Sequence, residues 1–458
     1  MWRKYLPSNV AALQEIFMNT EAGLQVRPGH CGDRPTPIEW SIEMNPPHTP
    51  PATPDRNNLS LLRRREILHV IALGSAAGLA ACGGGGSHGG AVIGPGTGAG
   101  LGESPAAPPP AAPGAQSSAT PATPAAAGGT STSNDGGEIK ASVIDLRLKV
   151  SNSPDVSLQV RDWQPSRNSG PVFVFLPGLG ANARSFDGLA AGLSARSRVI
   201  ATSRRGYGLS DKPLPEKTAT QYYDVDTLVA DLKAVLDALG VQRAVLGGHS
   251  IAGNELTRFA GLYPERTQGL IYLDTTFDYT ATPDSVGEEP PKNLLLEEPK
   301  PTQEDARSLQ AAIAFARRIS KNWGPVQEAN LRDSLEILAD GSVSPGTPSE
   351  VNDAMETAAH SYSPDYESVR APSLVVTALP SQPRDMFPWL ELPLDAKTQE
   401  SVADYISIFR RGRISDSNRL AASLRTTNRL TLDNASHGDF IMEREAEVLR
   451  AIQFMTWA

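Results

Sequence analysis

Ala244-Val245-Leu246-Gly247-Gly248-His249-Ser250-Ile251-Ala252-Gly253 is the stretch whose reading decides the fold. An apolar run ends in two glycines, and an amphipathic run, Asn254-Glu255-Leu256-Thr257-Arg258-Phe259-Ala260, follows. A serine therefore stands where a buried strand turns sharply into a helix. Such a turn needs small neighbours and pushes the hydroxyl into the open. The amide of Ile251, at the helix N-terminus, is then placed to meet a developing oxyanion. Alanine holds position 252, where a strict G-x-S-x-G pattern has glycine, and glycine follows at 253.

The elements around this turn alternate. Val143 to Val150 and Val156 to Val160 interleave apolar and polar residues, which predicts two half-exposed strands in a hairpin around Asn152-Ser153-Pro154-Asp155. The pattern then changes. Val172-Phe173-Val174-Phe175-Leu176 is continuously apolar, as are Val199-Ile200-Ala201, Leu270-Ile271-Tyr272-Leu273 and Leu374-Val375-Val376. Such runs suit strands covered on both faces. Between Asp224 and Gly240, Val225, Leu228, Val229, Leu232, Val235, Leu236 and Leu239 mark one helix face. Strand and helix in alternation after an antiparallel start predict an α/β fold with a mostly parallel sheet and helices on both faces. Ligands in such sheets bind at the carboxyl ends of the strands, where Ser250 sits.

Four blocks, in order, resemble the α/β-hydrolase superfamily over about Val143 to Ala458. They are Phe175-Leu176-Pro177-Gly178-Leu179-Gly180-Ala181-Asn182, Arg205 to Pro213, the serine turn, and Asn434-Ala435-Ser436-His437-Gly438-Asp439-Phe440. The first is similar to the family's oxyanion loop, with Pro177 where histidine is usual. The resemblance implies Ser250 as nucleophile, His437 as general base, and the amides of Ile251 and Leu179 as oxyanion donors.

The other histidines fit these roles less well. His30, His48, His69 and His88 precede the folded part, His249 adjoins the serine and should point into packing, and His360 lies in a helical stretch. The acid that orients the imidazole has more than one candidate. In most of the superfamily it follows the strand represented here by Ser373 to Thr377, yet Ala378-Leu379-Pro380-Ser381-Gln382 contains none and Asp385 comes late. Asp274, at the end of the Leu270–Leu273 run, is the favoured reading; Asp385 is the alternative and Asp278 a weaker third. Helical signals at 304–319, 326–338 and 350–359 predict a lid over residues 279–370. Dehalogenases and epoxide hydrolases of this superfamily need aspartate at the turn, where this chain has serine.

The chain's first third reads differently. Residues 63–82 run from Arg63-Arg64-Arg65 through a short apolar segment to Leu79-Ala80-Ala81-Cys82. That order resembles a twin-arginine signal ending in a lipobox, with Cys82 as the lipidation site. The apolar run is shorter than the ~20 residues of a transmembrane helix. Residues 1–62 are expected to be an untranslated or disordered leader, with translation starting at Met44 or Met18. Residues 83–137, almost wholly Gly, Ala, Pro, Ser and Thr, are expected to form a disordered tether, and 138–458 the hydrolase domain. The implied location is an exported, periplasmic lipoprotein anchored to the outer membrane.

Composition removes several classes of function. Of two cysteines, Cys31 and Cys82, neither belongs to the expected domain, so a thiol nucleophile is excluded. The formal charge of −9, with no basic cluster outside the signal, argues against nucleic acid as partner. No metal or nucleotide fingerprint is present, so no cofactor is expected. The sequence points to a serine hydrolase that cleaves small-molecule carboxylic esters through an acyl-enzyme. Two alternatives stay open: a cofactor-free haloperoxidase-like or C–C bond hydrolase with the same triad, and a non-catalytic binding protein on this scaffold.

Overall fold

The computed structural model describes residues 142–457, apart from 166, 276, 277, 279 and 281–292. The leader, the signal segment with Cys82 and the tether lie outside the described residues.

An eight-stranded sheet has the order β1-β2-β4-β3-β5-β6-β9-β10. Its strands are β1 (Ser142–Asn152), β2 (Asp155–Gln164), β3 (Phe173–Leu176), β4 (Val199–Thr202), β5 (Ala244–His249), β6 (Thr267–Leu273), β9 (Ser373–Leu379) and β10 (Thr427–Asp433). β1 and β2 form the expected antiparallel hairpin, β2 joins β4 antiparallel, and from β4 onward every pairing is parallel. Successive residues of the central strands serve opposite faces. Val174 and Leu246 pack with Val229 and Leu256 on one side; Phe175, Val245 and Ile271 pack with Leu189 and Val448 on the other. Each such side chain contributes roughly 1.5–3 kcal/mol of burial, which is why these runs are apolar without a break.

Helices cover both faces. α1 (Asp187–Leu193) follows β3; α2 (Val225–Ala238) precedes β5, and Asp224 caps it by accepting from the Thr227 amide at 2.9 Å. α3 (Ala252–Leu262) leaves the serine turn. The cap lies between β6 and β9: α4 (Gln303–Ala306), α5 (Leu309–Ile319), α6 (Pro325–Ser334), a hairpin of β7 (Leu335–Ile337) and β8 (Val343–Pro345), and α7 (Ser349–His360). After β9 come α8 (Pro383–Met386) and α9 (Ala396–Ser423); α10 (Phe440–Glu443) and α11 (Glu445–Phe454) close the chain.

Three expectations need correction. β2 is not half-exposed: it is buried over 158–163, because its polar residues are spent on neighbours. Gln159 accepts from Ser203 Oγ at 2.6 Å, and Arg161 donates to Asp187 at 2.9 Å. The helix expected over 326–338 stops at Ser334, since Leu335–Ile337 pair with Val343–Pro345 instead. The helix expected over 304–319 is broken before Ser308, whose hydroxyl accepts from the Ala311 amide and starts a new helix.

Candidate active site

The sheet register brings three strand ends together. His249 of β5 lies opposite Leu273 of β6, so Ser250 and Asp274 leave adjacent parallel strands side by side. Asp433, the last residue of β10, lies opposite Leu379 of β9, and the loop carrying His437 follows it. Ser250 and Asp274 both have left-handed backbones, with φ of 55° and 51°. For residues other than glycine this costs about 1–3 kcal/mol each and is tolerated where the surroundings hold it.

Small residues make the serine turn possible. A Cβ on Gly178 would stand 2.7 Å from His249 Nδ1, so only glycine lets the β3 loop pass this close. A Cβ on Gly253 would run into the Thr275 hydroxyl, directly after Asp274. That contact explains the glycine at 253, one position later than the strict motif. The alanine methyl at 252 is fully buried.

His437 joins the strand ends. Its Nε2 is 3.0 Å from Ser250 Oγ, and its Nδ1 is 2.6 Å from Asp274 Oδ2. Asp274 is completely buried. Burial by itself raises a carboxyl pKa, but Arg413, followed by the His437 hydrogen bond, outweighs it and holds Asp274 down at about 2. Arg413 ion-pairs with Asp274 Oδ1 and donates to its backbone carbonyl at 2.9 Å; the Ala378 amide also donates to Oδ1, at 2.8 Å. Burial lowers the His437 pKa; Asp274 pulls the other way, and Arg413 adds to the lowering. The imidazole is thus neutral at physiological pH, the state that can accept a proton.

The remaining candidates fall elsewhere. Asp385 receives the amides of Ser381 and Gln382, both at 2.8 Å, and pairs with Lys321 at 2.7 Å. It caps α8, and no described bond joins it to His437. Asp278 accepts from Thr280 and Ser363. His360 ends α7, half-buried. His249 is packed, as expected, but against the site itself: its Nε2 is 2.9 Å from the His437 carbonyl and the two rings lie 4.7 Å apart. Among the described residues, neither the Ile251 nor the Leu179 amide has a hydrogen-bond partner, so both remain available as donors.

Three features went unread in the sequence. Arg204 forms a buried pair with Glu255 at 2.6 Å and donates to the Pro177 and Gly178 carbonyls at 2.7 and 3.3 Å. It ties the β3 loop to the helix behind the serine. Arg413 comes from α9, whose buried side also carries Thr398, Ser401, Asp416 and Ser417, so no apolar period marks it. The third is a cavity of about 340 Å³ between the β3 loop and the cap, lined in part by Leu179, His249 and Gly438. α6 closes it: Asn182 bonds to Asn330 through its amide at 3.0 Å and its side chain at 2.8 Å, and Arg184 donates to Asp333 at 2.9 Å. Among the described residues no group of three or more His, Cys, Asp or Glu is arranged to hold a metal ion.

Residues 171–298 match the family model for the alpha/beta hydrolase fold. The 2-(acetamidomethylene)succinate hydrolase of Mesorhizobium japonicum is 32% identical over 121 residues, 26% of this chain and 40% of that protein. The non-heme chloroperoxidase of Streptomyces lividans is 38% identical over 111 residues, 24% of this chain and 37% of that protein. A crystal structure of E-2-(acetamidomethylene)succinate hydrolase superposes with a TM-score of 0.45 at 21% identity, over 68% of this chain and 98% of that one. The chain thus spans less than half the length of these curated relatives. The family match over residues 171–298 and this sheet order give the chain the α/β-hydrolase fold.

Proposed function

We propose that the protein is a serine hydrolase of carboxylic esters. Ser250 attacks the ester carbonyl while His437 Nε2 takes its proton. The amides of Ile251 and Leu179 hold the oxyanion. His437 returns the proton to the leaving alcohol, and water then enters by the same route to release the acid. Asp274 orients the imidazole and stabilises its protonated form. The observation that carries this reading is the relay from Ser250 Oγ through His437 to Asp274, at 3.0 and 2.6 Å. A fluorophosphonate probe should label the protein at Ser250 and not label Ser250→Ala, and p-nitrophenyl acetate should be turned over. Absence of both would leave the scaffold as a binding protein.

A second reading has one observation behind it: the name of the Streptomyces relative. A cofactor-free haloperoxidase-like reaction would use the same triad on a small carboxylic acid and peroxide. Halogenation dependent on both would favour it over the esterase. The proposal also includes export, with Cys82 acylated.

A further inference from the structure

The cavity between the β3 loop and the cap, which reaches His249 and Gly438 on either side of the relay, has an unusual charge. Glu298, Asp353, Glu356 and Asp439 line it, and no lysine or arginine does among the described residues. Asp439 is only 7% exposed, and no described group donates a hydrogen bond to its carboxyl. Burial, with Glu443 nearby, pushes it up to about 7, although Lys321 opposes this. Lys321 is already shared between Asp385 at 2.7 Å and Glu443 at 2.8 Å. Glu298 is pushed up to about 8 by burial alone. The Asp439 carboxyl is nearly buried and has no donor among the described residues, which favours a partner supplied through the cavity. Trp323 and Trp389 line the same cavity, and the faces of aromatic rings attract organic cations.

We propose that this cavity takes the ammonium group of an organic cation, so that the ester cleaved at Ser250 carries a positively charged nitrogen held by Asp439 and Glu298 beside Trp323 and Trp389. The identity of the cleaved bond rests on the ester-hydrolase reading; the cation preference does not. A carboxylate-bearing substrate would find no lysine or arginine to pair with among the described lining residues. A neutral one would leave the Asp439 carboxyl without a partner.

The test is binding without turnover. Ser250→Ala is titrated calorimetrically with choline, with its uncharged isostere 3,3-dimethylbutan-1-ol, and with 3,3-dimethylbutanoate. Choline should bind at least about tenfold tighter than the alcohol, and the anion weakest. Asp439→Asn and Glu298→Gln, each placed in the Ser250→Ala background, should reduce the preference for choline over the alcohol at least threefold. Glu298 is partly exposed, so its variant keeps the test alive should Asp439→Asn not fold. Equal binding of choline and the alcohol, or tighter binding of the anion, overturns the proposal. A protein that prefers choline but lacks esterase activity would sink only the ester reading; an active esterase without the preference would sink only this one.

Discussion

Arg413 and His437 hold opposite oxygens of one carboxylate: Arg413 pairs with Asp274 Oδ1, and His437 Nδ1 lies 2.6 Å from Oδ2. The cation thereby keeps Asp274 ionised where burial alone would neutralise it, and also lowers the His437 pKa. Esterase turnover should therefore rise with pH along a limb centred below 6.5, the ordinary value for histidine. Arg413→Gln removes the charge that keeps Asp274 ionised, so the limb should move and kcat/KM on its plateau should fall. A pH profile of kcat/KM for both proteins decides it; an unmoved limb in a folded Arg413→Gln protein would refute the coupling.

Asp274→Asn should lower kcat by roughly three to four orders of magnitude, through a wrongly oriented or wrongly tautomerised imidazole. Asp385→Asn should leave kcat within about tenfold and act mainly on stability, because it weakens the start of α8 and the Lys321 pair. Turnover of p-nitrophenyl acetate, with circular dichroism to confirm folding, separates the two. Loss of turnover in Asp385→Asn alone would restore the commoner position of the acid.

The buried Arg204–Glu255 pair predicts a split between stability and catalysis. Glu255→Leu alone strands a guanidinium and should cost about 3–5 kcal/mol. Arg204→Met combined with Glu255→Leu should recover much of that stability, yet kcat should stay depressed, because the Pro177 and Gly178 carbonyls lose their donor. Denaturant melts and kcat on the same preparations test this. Full recovery of both would make the pair purely structural.

His249 gives acid stability a definite sign. Burial, then the neighbouring His437, depresses its pKa from 6.5 to about 3. The folded protein keeps this imidazole neutral while the unfolded chain protonates it. The contribution is complete above pH 6.5 and is lost as pH falls toward about 3. Melting temperature should decline through that window, and His249→Gln should flatten the decline.

Acylation at Cys82 is tested by labelling. Radiolabelled palmitate should enter the full chain and not Cys82→Ser; equal incorporation would remove the lipoprotein proposal.

The fold was legible because its strongest signals are local. Continuous apolar runs marked β3, β4, β5, β6 and β9, and the small residues around Ser250 marked the turn. Asp274 could be marked in the sequence as a carboxylate at the end of an apolar run; that β5 and β6 are neighbours, which sets it beside Ser250, could not. Arg413 was not readable: it lies 139 residues from Asp274 along the chain, on a helix whose buried face is largely polar. β2 misled because its alternation normally means one wet face, whereas here the polar residues bond inward. Asp439 and Glu298 gain their meaning from a cavity assembled by distant segments, which no local pattern encodes.

Arg204 has a mechanical consequence. Glu255 lies on the helix that starts beside Ile251, and Pro177 and Gly178 lead into Leu179. One guanidinium thus rivets the two amide-bearing segments together. A thermal displacement of the helix carries the β3 loop with it, so the gap between the two amides stays nearly constant while both drift. The anion cradle would then be present before any substrate arrives, and its assembly would not need to be driven by binding.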